Sequence, residues 1–98
     1  MRIDKKSKEF IWDRGNIDKN WIKHKVKNSE CEEIFFDENK VVLKDALHSG
    51  KEERSIVLGK TKKNRLLFVV FTKRGDKIRV ISTRDTNRKE RRLYEEAT

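Results

Sequence analysis

Six consecutive apolar residues, Leu66 to Phe71, constrain the fold of this chain more than any other feature. Because neighbouring side chains of a strand point to opposite faces, an unbroken apolar run makes both faces apolar. Residues 65–72 are therefore predicted to form a central strand that is covered on both sides. Gly75 lies in the sequence Arg-Gly-Asp that follows, which predicts a hairpin turn and a last strand over residues 77–83.

The remaining apolar groups complete an α+β pattern. Further strands are predicted over residues 10–12, 40–44 and 54–60, and helices over residues 16–24, from Ser29, and over 87–97. The element order is then β-α-α-β-β-β-β-α. Short hairpins between the later strands favour a small antiparallel sheet flanked by helices.

The first two helices are predicted from apolar spacing and from a cap. Ile17, Trp21 and His24 are four and then three residues apart, so they share one helix face, and we expect that face to be packed. Ser29 and Glu32 fit a capping box at the start of the second helix. In so thin a domain we expect both tryptophans to be core residues rather than platforms for base stacking.

The C-terminal helix is predicted from a second capping box, Asn87 with Glu90. Its apolar residues are few, namely Leu93, Tyr94 and Ala97. We therefore expect this helix to dock weakly on its own domain or to present a surface to a partner.

Length and charge restrict the class of protein. A chain of 98 residues is expected to be a single domain, residues 1–98, with a thin core. Its formal net charge of +9 attracts polyanions, which are nucleic acid, an acidic protein or an anionic membrane. No stretch approaches the roughly 20 apolar residues that span a bilayer, and residues 1–8 are charged rather than typical of a signal peptide. We expect a cytoplasmic protein that does not engage a membrane.

Metal and nucleotide chemistry are not indicated. His24, His48 and Cys31 are far apart and lack the spacing of a ligand pair, and the chain has no glycine-rich phosphate loop. We therefore expect no metal and no other cofactor. Cys31 is alone, and we interpret it as a small buried residue rather than a nucleophile.

One stretch groups residues that suit proton transfer beside a phosphate. Residues 45–54 place Asp45, His48, Glu53 and Arg54 around the start of a strand. His48 has an ordinary pKa near neutrality, and RNA carries its own nucleophile, the 2′-hydroxyl. Composition alone favours the alternative that His48 and Glu53 are ordinary loop residues and that Arg54 is paired with an acid.

Cations are concentrated in the last quarter of the chain. We interpret them as a surface that follows the phosphates of a nucleic acid, the alternative being a solvated face; they are Arg74, Lys77, Arg79, Arg84, Arg88, Lys89, Arg91 and Arg92. Arg79 and Arg84 are five residues apart, so on an uninterrupted strand they point to opposite faces. Both reach one site only if the strand ends before Arg84.

These residues together resemble the BrnT toxin family, small ribonucleases with a RelE-like fold. The resemblance runs from Phe10 to Glu95 and rests on the order and spacing of short pieces: Trp12-Asp13, Asn20, Lys23-His24, Phe35, Asp45, His48, Glu53-Arg54, Gly59, Arg65-Leu66-Leu67, Ile78 to Ser82, Arg84, Glu90-Arg91 and Tyr94-Glu95. The chain departs from the family pattern at Lys25, Asn28, Cys31 and Thr83. These positions affect helix packing and the fit to a partner more than they affect the polar residues expected at the site.

The resemblance implies RNA cleavage without metal and neutralisation by a cognate antitoxin. It implies that the antitoxin carries a DNA-binding domain and that the pair represses its own operon. The polar positions of the family fall here on His48, Glu53, Arg54, Arg79 and Arg84, and base and acid stay unassigned between His48 and Glu53. Arg74, Lys77, Arg88, Lys89 and Arg91 are then expected to bind RNA, and we expect the antitoxin to cover the surface around Arg79, Arg84 and Arg88. The competing hypothesis is a non-catalytic basic module that binds nucleic acid or an acidic protein.

Overall fold

A computed structural model of the chain describes residues 9–45 and 52–97. Three α-helices and one 3₁₀ helix accompany a five-stranded sheet of order β1-β5-β4-β3-β2 in this part of the chain. In chain order the elements are β1 (Glu9–Phe10), α1 (Lys19–His24), α2 (Asn28–Glu33), the 3₁₀ helix (Ile34–Phe36), β2 (Val41–Lys44), β3 (Arg54–Lys60), β4 (Leu66–Arg74), β5 (Lys77–Asp85) and α3 (Arg88–Ala97). The α+β class and the predicted order of the elements are confirmed.

The apolar run forms the middle strand, β4, which pairs antiparallel with β3 and β5. On one face Leu67, Val69 and Phe71 join the main core with residues of α2 and the 3₁₀ helix, including Ile34 and Phe35. On the other face the neighbouring side chains form a smaller cluster around Leu58, Leu66 and Tyr94. The predicted covering is thus complete on the first face, which we call the core face, and partial on the second.

The expected antiparallel sheet has one parallel pair at its edge, so the sheet is mixed. β1 pairs parallel with β5, with Glu9 opposite Lys77 and Phe10 opposite Ile78. The short hairpins fix the direction only of β3, β4 and β5. β1 is far from β5 in the sequence, so no hairpin fixes its direction relative to that strand. This strand is also shorter than the predicted residues 10–12.

Beyond β1, the outer edge of β5 is completed by side chains instead of a strand. Asn16 Nδ2 donates to the carbonyl of Val80 over 2.9 Å, and the amide of Thr83 donates to Asn20 Oδ1 over 2.9 Å. Both asparagines are buried, because the backbone groups that they satisfy lie inside the protein.

This arrangement overturns the predicted face of the first helix. α1 begins at Lys19 rather than at residue 16, and its inward side carries asparagine. Ile17 and Trp21 consequently point away from the core, with 47% and 43% of their surface exposed, and His24 is exposed as well. Trp12 does pack against the core, as expected.

The second helix begins one residue earlier than predicted and has a different cap. The amide of Lys27 donates to Glu30 Oε1 over 2.9 Å, so Glu30 provides the carboxylate expected of Glu32. Glu32 instead accepts a 2.7 Å hydrogen bond from Trp12 Nε1, and Ser29 is exposed. The following Cys31 is fully buried, as predicted, and burial raises the pKa of its thiol to about 11.

The capping box of α3 is confirmed. Glu90 donates its amide to Asn87 Oδ1 over 2.8 Å, and Asn87 donates its amide to Glu90 Oε1 over 2.9 Å. Tyr94 anchors the helix in the smaller cluster, and its hydroxyl donates to Asp37 Oδ2 over 2.6 Å. The helix is therefore docked through one buried aromatic residue, and most of its surface is exposed.

Candidate active site

A β-bulge in β5 decides where the two strand arginines point. Val70 lies opposite Ser82 and Phe71 lies opposite Val80, which leaves Ile81 as an extra residue in β5. The extra residue shifts the alternation by one, so Arg79 and Arg84 lie on the same side of the sheet. The strand continues to Asp85, so the expectation that it must end before Arg84 is wrong.

A third arginine lies on the same side. Thr72 of β4 is opposite Arg54 of β3 and opposite Arg79 of β5, so these three residues form one row across the sheet. Two rows further along, Phe68 is opposite Arg84. We call this side, carrying Arg54, Arg79 and Arg84 and facing away from the main core, the arginine face. At its far end α3 covers Leu58 through Tyr94.

Arg84 is fixed in orientation by three contacts. Its Nη1 and Nη2 donate to the two carboxylate oxygens of Glu90, each over 2.8 Å, and Nη1 also donates to the carbonyl of Asp85. Its guanidinium carbon lies 4.0 Å from the centre of the Phe68 ring. The ion pair raises the pKa of Arg84 and lowers that of Glu90. The Nε edge of the fork makes no hydrogen bond to a described residue, and that edge suits two phosphate oxygens.

Arg79 is held by the loop that follows β1. Its Nη2 donates to Asp13 Oδ1 over 2.9 Å, and 17% of the side chain is exposed. The hydrogen bond from Arg79 is the main reason that the pKa of Asp13 is lowered. Arg79 Nε is buried without a hydrogen-bond partner. Gly15 packs so closely that a Cβ there would lie 2.7 Å from Arg79 Nη2.

The two neighbouring glutamates before β3 have different partners. Glu52 accepts from Arg74 Nε and Nη2 over 3.1 and 3.0 Å, and this contact lowers the pKa of Glu52. Glu53 forms a 2.9 Å ion pair with Lys44 instead, and both of these side chains are mostly exposed. The positive charges of Arg79 and Arg54 also contribute to lowering the pKa of Glu52.

The other predicted residues lie in several places. His48 lies outside the described residues. Lys77 is 3.7 Å from Glu9 at the parallel edge of the sheet. The predicted RNA-binding residues of α3 are exposed and make no ion pair with a described residue; they are Arg88, Lys89 and Arg91.

Sequence reasoning missed the acids that hold the arginines. The sequence predicts Glu90 as a cap and as part of the family resemblance, but it does not predict that the same residue binds Arg84. Asp13 is part of the family resemblance, but nothing in the sequence pairs it with Arg79, which is 66 residues away. Glu52 carries no sequence signal, and its partner Arg74 is 22 residues away. Only the fold brings these pairs together.

The described residues offer neither a metal site nor a membrane-spanning helix. Within residues 9–45 and 52–97, no three side chains of His, Cys, Asp or Glu are grouped so that they could hold a metal ion. No helix in this part of the chain is long and apolar enough to cross a membrane.

A comparison with family models now adds to this geometry. Residues 12–90 match the model of the ribonuclease toxin BrnT of type II toxin–antitoxin systems. The chain belongs to the BrnT family. The match includes all three residues of the arginine face and ends at Glu90, the residue that holds Arg84. No curated protein matches the chain.

Membership of the BrnT family confirms the resemblance seen in the sequence. A ribonuclease toxin of a type II system has RNA as its substrate and an antitoxin as its partner. The excess of positive charge suits RNA as the substrate, because phosphate contacts dominate protein–RNA affinity.

Proposed function

We propose that this BrnT chain is an endoribonuclease that cleaves RNA on the arginine face without a metal ion. The observation that carries the proposal is the register of the sheet, in which the bulge at Ile81 lets Arg54, Arg79 and Arg84 share one side. RNA cleavage at a phosphate requires stabilisation of negative charge on the phosphate oxygens, and guanidinium forks are suited to this task.

The proposed reaction is attack of the 2′-oxygen on the adjacent phosphorus. The P–O5′ bond breaks, a base removes the proton of the 2′-hydroxyl, and an acid protonates the departing 5′-oxygen, which leaves a 2′,3′-cyclic phosphate. His48 and Glu53 are the proposed proton-transfer groups, with base and acid unassigned between them. Glu53 must exchange its contact with Lys44 for one with RNA in order to act.

The three arginines have different tasks in this proposal. Arg84 offers its Nε edge to a phosphate while Glu90 holds the end of the guanidinium through Nη1 and Nη2. Arg79 is positioned by Asp13, and Arg54 lies in the same row of the sheet. The backbone on either side of the cut is bound by the surrounding cations, Arg74, Lys77, Arg88, Lys89 and Arg91.

We also propose the biological setting that accompanies such a toxin. Its antitoxin neutralises it and carries a DNA-binding domain, the complex binds the operator of its own genes, and the toxin acts in the cytoplasm. Membership of the BrnT family and the net charge of +9 support this setting.

The test of the metal-independent mechanism is cleavage of a defined RNA by purified protein in EDTA. We expect cleavage to persist and the upstream product to end in a cyclic phosphate. If activity disappears with the chelator and returns with magnesium, the proposed mechanism is wrong. If RNA is bound but never cut, the non-catalytic binding module is the better description.

The test of the arginine face is a set of glutamine substitutions under single-turnover conditions. Arg79→Gln and Arg84→Gln should each lower the cleavage rate by about 10²–10³, the cost of losing a donor that stabilises the transition state. Lys63→Gln is the matched control, because it removes the same charge from an exposed residue of the turn between β3 and β4, outside this face. Equal rates in the three variants would show that the arginine face is not the site.

The sequence-based assignment is tested in the same assay. His48→Ala should cost about 10²–10⁴ in rate if His48 transfers a proton, and Arg54→Ala about 10²–10³. Circular dichroism should remain native in both variants. Full activity in both would mean that the predicted cluster over residues 45–54 is not catalytic.

A further inference from the structure

The segment around α1 exposes an unusual amount of apolar surface. Ile17, Trp21 and Ile22 are 47%, 43% and 73% exposed, and we call these three residues the α1 apolar surface. They are half of the six large hydrophobic residues that are exposed in the described part of the chain, and they lie within six consecutive positions. Asn16 and Asn20 occupy the inward side of this segment, so the apolar residues have no place in the core.

The charges around this surface define what fits it. Residues 13–27 contain five lysines and arginines against two aspartates, Asp13 and Asp18. Asp13 is bonded to Arg79, and Asp18 is bonded to Asn28. The cations Arg14, Lys23, Lys25 and Lys27 are exposed and make no ion pair with a described residue. An occupant that matches this surface therefore carries apolar side chains bordered by carboxylates.

We propose that the antitoxin docks on the α1 apolar surface through an acidic amphipathic segment. This inference rests on the proposed neutralisation by an antitoxin and names the surface that receives it. RNA fits less well, because Ile17 and Ile22 offer neither a stacking ring nor a hydrogen-bond donor to a base. The single ring of this surface, Trp21, already has Lys25 Nζ over it, 5.2 Å from the ring centre. A second copy of the chain also fits less well, because a symmetric contact brings two cationic borders together.

Docking on the α1 apolar surface also affects the arginine face, through the loop that holds Arg79. Ile17 is two residues from Gly15, which packs against the guanidinium of Arg79, and Asp13 in the same loop bonds Arg79. A segment seated on Ile17 therefore lies next to the loop that holds Arg79. Access of RNA to Arg79 is then blocked by a partner that is anchored next to it.

The first test measures the affinity of the cognate antitoxin for a matched pair of variants. Ile22→Lys should weaken binding by about 30-fold or more, the loss typical of a central interface residue. Val42→Lys makes a similar change at a 54% exposed residue of β2, which lies at the opposite edge of the sheet from β5, and should bind normally. Equal affinities of the two variants would overturn the proposal.

The second test leaves the surface intact. Toxin labelled with 5-fluorotryptophan has two ¹⁹F resonances, from Trp12 and Trp21, and a Trp12→Phe variant assigns them. Unlabelled antitoxin should shift the Trp21 resonance and leave that of Trp12 in place. If the complex forms and the Trp21 resonance does not move, the antitoxin binds elsewhere.

Competing occupants give different results in the same experiments. If the toxin alone dimerises in sedimentation and Ile22→Lys makes it monomeric, the surface belongs to a homodimer and the proposal is wrong. If Ile22→Lys weakens RNA binding and leaves antitoxin affinity unchanged, the surface binds RNA and the proposal is again wrong. Antitoxin binding through Trp21 by a chain that never cuts RNA would refute the proposed function and support this inference.

Discussion

Replacing Asn16 with alanine should reveal how much of the fold depends on side chains that complete the edge of β5. Asn16 is 1% exposed, and its side chain makes three hydrogen bonds. Its Nδ2 donates to the carbonyls of Ile11 and Val80 over 2.8 and 2.9 Å, and its Oδ1 accepts from the amide of Asp13 over 2.8 Å. The substitution removes all three bonds and leaves three backbone groups without their partner.

The expected loss of stability follows from these bonds. At about 1 kcal/mol for each bond, Asn16→Ala should lower the free energy of unfolding by about 3 kcal/mol. With a urea m-value of roughly 1.5 kcal/mol/M, the unfolding midpoint falls by about 2 M. Asn39→Ala is the matched control, because Asn39 is exposed, and we expect a change within about 0.5 kcal/mol.

The assay is urea unfolding followed by circular dichroism and by tryptophan fluorescence, which should give coincident transitions. A loss below about 1 kcal/mol for Asn16→Ala would show that water or a backbone shift replaces the asparagine, and the role given to this side chain would be wrong. Because Asn16 also holds the amide of Asp13, a smaller cleavage rate should accompany the loss of stability.

Three further predictions concern packing, pH and RNA binding. Gly59→Ala places a Cβ 2.8 Å from the carbonyl oxygen of Ile34, so we expect a loss of about 1–3 kcal/mol in the free energy of unfolding, measured by urea titration. The contact with Arg84 lowers the pKa of Glu90, so at pH 7 the wild-type protein should unfold at a higher urea concentration than Glu90→Gln. This difference in midpoint should decline as the pH falls below about 4.5. A difference that is unchanged at pH 3 would contradict the role of this ion pair. Arg91→Glu should weaken RNA binding and lower the slope of log affinity against log salt by about one, and an unchanged slope would mean that α3 is merely solvated there.

Elements whose signal is local were predictable from the sequence. The apolar run over residues 66–71, the hairpin at Gly75 and the capping box of Asn87 with Glu90 each depend on residues close in the chain, and each is found where it was predicted. The family resemblance was also predictable, because it rests on short sequence pieces in a fixed order and requires no knowledge of the fold.

The face of α1 was not predictable from local pattern. Apolar spacing placed Ile17 and Trp21 inward, but the neighbour of this segment is the edge of β5 beyond its pairing with β1, where carbonyl and amide groups require hydrogen bonds. Asn16 and Asn20 meet that need, so the polar side of the segment is the buried one. Periodicity measures only which residues avoid water, and it does not register a buried edge that needs donors and acceptors.

For the candidate site, too, some properties were predictable from the sequence and others were not. The sequence by itself determined its chemical character: three arginines, an excess of positive charge and no ligand spacing for a metal. The tertiary structure decided that Arg79 and Arg84 share a side, because one extra residue at Ile81 reverses the alternation of the strand. It also decided which acids hold them, Asp13 for Arg79 and Glu90 for Arg84. A bulge is defined by the pairing of two strands and an ion pair by the distance between two atoms in space, so neither exists until the chain has folded.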